Sequence, residues 1–451
     1  MPTRIAPSRY SKVCCAVRDI IIFIIVFGSL PFIFKRPAIG VMMFAWISLM
    51  NPHRLTYGAA YDFPFALLLS GCTLISMLMS KDPKSLPSNR VLVALIIFFS
   101  WTTITSFFAL EPDLAWKEWS RVFKTFFMVL VTLAVIRTEL DIKQLTMVIT
   151  ASLAFYGLKG GLFTIGSGGH YRVQGPEGTY ITDNNCMALA MVQITPLIWY
   201  HAMQEKRKWF KLGFQALTAL TLVSAMGSYS RGALLATGAM LGFLWLKSRN
   251  KVATGMVLLA LAPAVLMLMP DQWMGRMQSI DNYQEDGSAM GRINAWTFAY
   301  NVAKSHLLGG GYIVFTFKQF QLYAPNPQDF HVAHSIYFQV LGEHGFIGLG
   351  LFLLFMVLAW RSGSRILAAT KDKAELKWAR DLAAMCQVSL IGYAVGGAFL
   401  SMAYYDLYYY IVAIMLLLEK WLALQPKEAP PPPVRQVRTR PRPPLKPAPS
   451  R

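Results

Sequence analysis

The stretch FIGLGLFLLFMVLAW, residues 346–360, carries no charged side chain, and Arg361 and Arg365 follow it directly. A helix crossing a bilayer needs about 20 mostly apolar residues, and this run supplies most of one. Outward from it the chain repeats the pattern: Val91–Leu110, Thr146–Ile165, Met187–Tyr200 and Val252–Met269 are almost free of charge. One such run fits a buried helix of a globular core. A long series does not, because no globular core has room for it. Composition agrees: 55% of the 451 residues are hydrophobic and 15% charged, where soluble chains carry about 25% charged residues. The mean hydropathy is +0.41. The sequence therefore predicts an all-α, polytopic transmembrane helix bundle. The five cysteines (Cys14, Cys15, Cys72, Cys186, Cys386) lack metal-ligand spacing, and their odd number argues against a full disulfide framework. Met1–Arg18 is basic with no small-residue cleavage site after it, so no cleavable signal peptide is expected.

A formal charge of +20 raises nucleic acid as a partner until the charges are placed. They gather in short connections: Lys206, Arg207, Lys208 and Lys211; Lys247, Arg249 and Lys251; Arg361 through Arg380. That is the pattern of cytoplasmic loops, which points to membrane lipids and not to nucleic acid. The tail 425–451 is rich in proline and arginine, hence extended, disordered and suited to anionic headgroups. Counting back from a cytoplasmic tail places helices near 407–423, 381–401, 335–360, 252–269, 232–246, 212–227 and 186–204. Others follow near 143–165, 121–136, 91–110 and 64–80. Two segments then fall outside: 166–185 and the large loop 270–333, which carries four Lys/Arg against five Asp/Glu. The stretch 18–50 holds two apolar runs broken by Lys35-Arg36-Pro37. Counting both puts the basic N-terminus outside, against the charge rule, and leaves the topology of residues 1–62 open. The expected organisation is a basic extension 1–17, a membrane domain 18–424 of about 12 helices, and the tail.

Polar residues at membrane depth or at helix mouths are where function is sought. Four clusters qualify, all on the outer side in this count. In Tyr156-Gly-Leu-Lys-Gly-Gly161, Lys159 either snorkels or contacts substrate, and the glycines allow close helix approach. The segment from His170 to Asn185 holds Arg172 and Asn184 as candidate contacts, with Thr182 or Asp183 as a helix cap. In Gly227-Ser-Tyr-Ser-Arg-Gly232, no acid lies near Arg231 in sequence, so a lipid phosphate or a substrate diphosphate is its natural partner; Tyr229 sits beside it. The last cluster begins a helix at Ser288 that Gly309-Gly-Gly311 ends, with Arg292 in the first turn beside free N–H groups. It continues through His331-Val-Ala-His334, where positions 334, 338, 341 and 345 would share a helix face, with Glu343 opposite. Arginines neutralise a diphosphate, and a histidine titrating near neutrality takes a proton from a hydroxyl. Such chemistry needs no ATP, and the acidic residues Asp281, Glu285 and Asp286 read as an exposed stretch before they read as a metal site.

Several of these motifs, Tyr156-Gly-Leu-Lys-Gly-Gly, Thr182-Asp-Asn-Asn, Ser228-Tyr-Ser-Arg-Gly-Ala, Gly291-Arg-Ile-Asn-Ala-Trp and the run from His334 to Gly345, together resemble the bacterial O-antigen ligase/polymerase superfamily. They are most similar to its branch of O-glycosylation or O-antigen ligases associated with exosortase systems, and Ser48-Leu-Met-Asn-Pro-His-Arg54 resembles that branch too. The likeness spans roughly residues 18–424. It implies a membrane glycosyltransferase fold with a large periplasmic loop in the bacterial inner membrane, and inverting, metal-independent chemistry without a cofactor. The donor it implies is a glycan on undecaprenyl diphosphate. The acceptor is left among lipid A core sugar, protein and another glycan, the last making a polymerase. Carried over motif by motif, Arg231 and Arg292 would hold the diphosphate and His334 would be the base, with Lys159, Arg172, Asn184, Tyr229 and His331 as further contacts. A transporter or flippase of the lipid-linked glycan is the rival reading. It would favour internal repeats and a path through the midplane, and neither is evident.

Overall fold

The computed structural model describes residues 9–247 and 287–425, with a few isolated positions between them. Within these residues the chain is helical, with no strand. The helices are α1 (Arg9–Lys35), α2 (Pro37–Met50), α3 (Ala59–Asp62), α4 (Phe65–Met79), α5 (Arg90–Phe107), α6 (Pro112–Val135), α7 (Glu139–Gly166) and α8 (Asn184–Gln204). They continue as α9 (Lys208–Met226), α10 (Arg231–Lys247), α11 (Gly287–Ser305), α12 (Phe317–Tyr323), α13 (Ile336–Ala369), α14 (Lys377–Gly397) and α15 (Asp406–Ala423). Five of them, α1, α5, α7, α8 and α13, are long and apolar enough to cross a membrane, and α2 and α4 are shorter apolar helices. This is a polytopic helical membrane protein.

Local sequence starts several of the helices. Pro37 and Pro112 occupy first positions, where a missing N–H costs nothing. Thr138 and Asp141 form a reciprocal capping box at the start of α7. Asp141 also pairs with Arg36, tying the α1–α2 turn to α7. The expected break at Lys35-Arg36-Pro37 is therefore a real reversal between two antiparallel helices, which resolves the helix order of 18–50. The helices α8 and α15 are buried on nearly all sides. A helix apolar all round belongs inside a bundle. The first helix is peripheral, with Ile20, Ile24 and Phe32 facing outward.

Chain direction sorts the connections into two ends. The segments 51–64, 108–111, 167–183, 227–230, 306–335 and 398–405 share one end, here the upper one. The connections 80–89, 136–138, 205–207 and 370–376 share the lower end, where Lys81, Lys84, Arg137, Lys206, Arg207, Lys371 and Lys373 gather. Arg18 donates to the Leu55 carbonyl, so α1 begins at the upper end.

Two expectations change. The helix near 335–360 runs to Ala369, so Arg361 and Arg365 are helical, with Arg365 paired to Glu419 at 2.8 Å. His334 precedes that helix in a left-handed conformation (φ 42°), and Gly345 breaks it (φ 68°, ψ −172°), so 334, 338, 341 and 345 do not share a face. Arg292 lies on α11, whose described part begins at Gly287. The described part of the large loop is a folded lobe: α11 and α12 close over Phe298, Val302, Phe315 and Phe320. The expected helix 252–269 and the acidic residues Asp281, Glu285 and Asp286 lie outside the described residues, as do residues 1–8 and the tail from 426.

Candidate functional site

The upper end is assembled by backbone-directed hydrogen bonds from side chains that sequence alone marked only as polar. Asn294 on α11 donates to the carbonyls of Asn326 and Asp329 (2.8 and 2.9 Å), and its oxygen accepts from the Asn326 N–H. Trp296, two residues on, donates to the Ala333 carbonyl at 2.8 Å and stacks on Phe338. Gly291 leaves room for the His331 ring, which would collide with any Cβ at that position. The motif Gly291-Arg-Ile-Asn-Ala-Trp is thus a clasp on the 324–335 segment. Its effect is to hold two histidines next to Arg292. Asn294 and Trp296 were missed as positioning residues because their partners lie more than thirty residues on.

His334 is half-buried at this clasp. Burial pushes its pKa below the ordinary histidine value, and the Arg292 charge pushes the same way, as does His331, while Asp183 pulls it back. The imidazole is neutral at pH 7 and available to accept a proton. His331 is near the Asp329 carboxylate at 3.2 Å. His344 is elsewhere in function: it is fully buried and bonded through Nδ1 to the Thr105 hydroxyl at 2.7 Å.

Arg231 starts α10, next to a turn braced from two sides. Asn184 donates to the Ser228 carbonyl at 2.7 Å, and Tyr229 donates to the Gly169 carbonyl at 2.6 Å. The Gly227 carbonyl accepts from the Val173 N–H. Tyr229 is left-handed at φ 62°, the cost of turning sharply enough to join α9 to α10. Asp183 is the cap of α8, accepting from the Asn185 and Cys186 N–H groups, and it is also the acid that acts on His334. The α8 N-terminus therefore connects the Arg231 turn to the His334 clasp. The amide of Asn184, which sequence offered as a substrate contact, is engaged in holding that turn.

Lys159 and Arg172 are placed apart from this centre. They line a cavity of about 910 Å³ together with Arg18 and Arg54. Arg172 is the link between the two regions, its guanidinium 5.7 Å from the centre of the Tyr229 ring. The glycines around Lys159 pack: Gly157 meets Thr221, Gly160 meets Ser224, and Gly161 meets the Leu220 backbone of α9. One short motif thus seats α7 on α9 and presents a lysine to the cavity. Among the described residues no group of three or more His, Cys, Asp and Glu could hold a metal ion.

Two family matches cover most of the chain. Residues 216–353 match the family described as O-Antigen ligase. Residues 17–206 match a family of unknown function, DUF5935. The first match is to the family as a whole and does not choose among its branches. No curated protein matches the chain.

Proposed function

We propose, from the premise that residues 216–353 are a domain of the O-antigen ligase superfamily, that this protein transfers a glycan from a lipid diphosphate to an acceptor hydroxyl at the upper end of the bundle. The coarse part, a glycan-transferring ligase of the membrane, is what that family supports. The finer reading is supported by one arrangement: Asn294 and Trp296 fasten the 324–335 segment to α11 and the His331 ring packs on Gly291, which sets His331 and His334 by Arg292.

In this reading Arg231 and Arg292 bind the donor diphosphate and offset the charge that grows on it as the glycosidic bond breaks. His334, neutral at pH 7, takes the proton of the acceptor hydroxyl. The hydroxyl oxygen bonds to the anomeric carbon as the carbon–phosphate oxygen bond breaks, and the electron pair leaves with the diphosphate. Attack from the side opposite the leaving group inverts the anomeric configuration. Asp183 faces the imidazolium that forms, and the Asn294–Trp296 clasp fixes its position. The charge compensation comes from side chains of the chain itself. The lysines and arginines of the lower-end connections favour the cytoplasm for that end. The centre then faces the periplasm of an inner-membrane protein, where undecaprenyl diphosphate presents its glycan.

The test is transfer of label from a purified undecaprenyl-diphosphate glycan to candidate acceptors by the full chain in lipid nanodiscs. His334→Ala should stop transfer while donor binding persists. Undiminished transfer by that variant sinks the assignment. Movement of the donor across the bilayer without a new glycosidic bond would instead support a flippase.

A further inference from the structure

The cavity of about 910 Å³ is not used by the chemistry above, and every described residue that lines it lies within 17–206, the part of the chain that matches a family of unknown function. We propose that this cavity binds an acidic saccharide, a sugar carrying carboxylate or phosphate, and holds it as the acceptor of the transfer. Only the word acceptor rests on the reading above; the binding does not.

Four cations line the space: Arg18 from α1, Arg54 after α2, Lys159 on α7 and Arg172 on the following segment. Glu177 is the one acid among the described lining residues, and Asp62 stands 3.6 Å from Arg54 while almost fully exposed to solvent. The balance is positive, and a pair so exposed does little to offset it. Lys159 projects, exposed, from the apolar second half of α7 and makes no ion pair or hydrogen bond among the described residues. Its ammonium group is therefore open to an anion that enters the cavity.

The remaining lining specifies more than charge. Tyr57, Tyr61, Tyr156 and Phe163 give the cavity four aromatic rings. Arg54 already covers one face of Tyr61, and the Tyr156 hydroxyl donates to the Met50 carbonyl, which leaves Tyr57 the most open. Rings with a polar tip offer flat faces to the C–H side of a sugar and a hydroxyl to its edge. The volume fits the range of about 300–1,000 Å³ for small-molecule sites, which accommodates one or two sugar units. The 51–64 and 167–183 segments meet near it, where a Cβ at Gly178 would sit 3.6 Å from the Arg54 guanidinium. Arg172 then bridges to Tyr229, two residues before Arg231. A saccharide held here ends beside the turn that carries the donor arginine, where an acceptor belongs.

The experiment titrates the full chain, in nanodiscs of zwitterionic lipid, with a disaccharide ending in glucuronic acid and with its neutral counterpart ending in glucose. The acidic probe should bind at least about tenfold tighter, as expected for one charge-assisted contact. Lys159→Gln should remove that advantage, and Lys159→Arg should keep it. Equal binding of the two probes, or an unaltered preference in both Lys159→Gln and Arg172→Gln, overturns the site. Displacement of the probe by phosphatidylglycerol added to the discs overturns it in favour of a lipid headgroup. In the transfer assay, Lys159→Gln should raise KM for an acidic acceptor and leave kcat in place; an unmoved KM overturns the acceptor role. His334→Ala should bind the acidic probe normally. If His334→Ala also transfers normally, the transfer reading fails while the cavity stands.

Discussion

His334 and His344 sit ten residues apart in one run of sequence, and they meet opposite fates. His334 lies before α13, left-handed and half-buried, with Arg292 and His331 beside it. His344 lies inside α13, fully buried, in a bracket that joins three parts of the fold. Thr105 donates its hydroxyl to the Thr102 carbonyl, so the contact at 2.7 Å requires His344 to donate from Nδ1. Trp101 donates to the His344 carbonyl, and Glu343 accepts from the Tyr404 hydroxyl and the Ile313 N–H. The N–H groups of Gly310 and Gly311 donate to the carbonyls of Gly342 and Glu343. Gly345 and Gly309 both have positive φ, and each backbone lies where the other's Cβ would be. In the proposed transfer one end of the motif serves chemistry; the other fastens the 306–313 segment to the bundle.

That contrast breaks if the two histidines respond alike. The largest effect is expected for His334→Ala, a loss of transfer on the order of 10²–10⁴-fold, the usual worth of a positioned base. Its thermal midpoint in detergent should match that of the unaltered protein. Gly345→Ala should do the reverse. Its φ and ψ belong to a region only glycine enters readily, and a Cβ there would lie 2.5 Å from the Leu307 carbonyl oxygen. A cost of about 1–3 kcal/mol in stability follows, read as a lower unfolding midpoint with the donor affinity of the folded fraction unchanged.

Arg292→Gln sharpens the comparison from the side of the site. Donor affinity should fall about 10- to 100-fold, the worth of a charge-assisted hydrogen bond to phosphate. Full retention would remove Arg292 from the diphosphate site. The smallest effect is on pH. A base works unprotonated, so transfer should rise with pH and level off, with a midpoint below 6.5 because burial and then Arg292 hold the His334 pKa down. In Arg292→Gln the midpoint of kcat/KM should move upward, since a positive neighbour has gone. A midpoint that stays put would mean another group titrates.

Much of the architecture was legible because membrane helices announce themselves by long charge-free runs and by basic connections. The site was legible as composition and not as geometry. Arg231, Arg292 and His334 are polar residues at helix mouths, which sequence can locate. Nothing local marks His334 as left-handed, so an unbroken helical period was the natural reading, and it fails at both His334 and Gly345. Arg18 and Arg54 were passed over as site residues because what joins them to Lys159 and Arg172 is folding across more than a hundred positions. The glycines of 157–161 were readable as packing, and they do pack. What the pattern did not reveal is that Lys159 points away from that seam into the cavity.

The hydrogen bond from Asn184 to Ser228 has a consequence for heredity. The two family matches part between residues 206 and 216, around a connection at the lower end. That joint is the simplest place for recombination to exchange one half for another. Yet the functional end is sewn together across the joint, with Asp183 and Asn184 from one half and Ser228, Arg231, Arg292 and His334 from the other. A hybrid gene built at residue 206, in the connection between α8 and α9, would inherit intact helices and a mismatched stitch. The halves of this protein are therefore bound to descend together, although the seam between them lies at the far end from the part that forbids their separation.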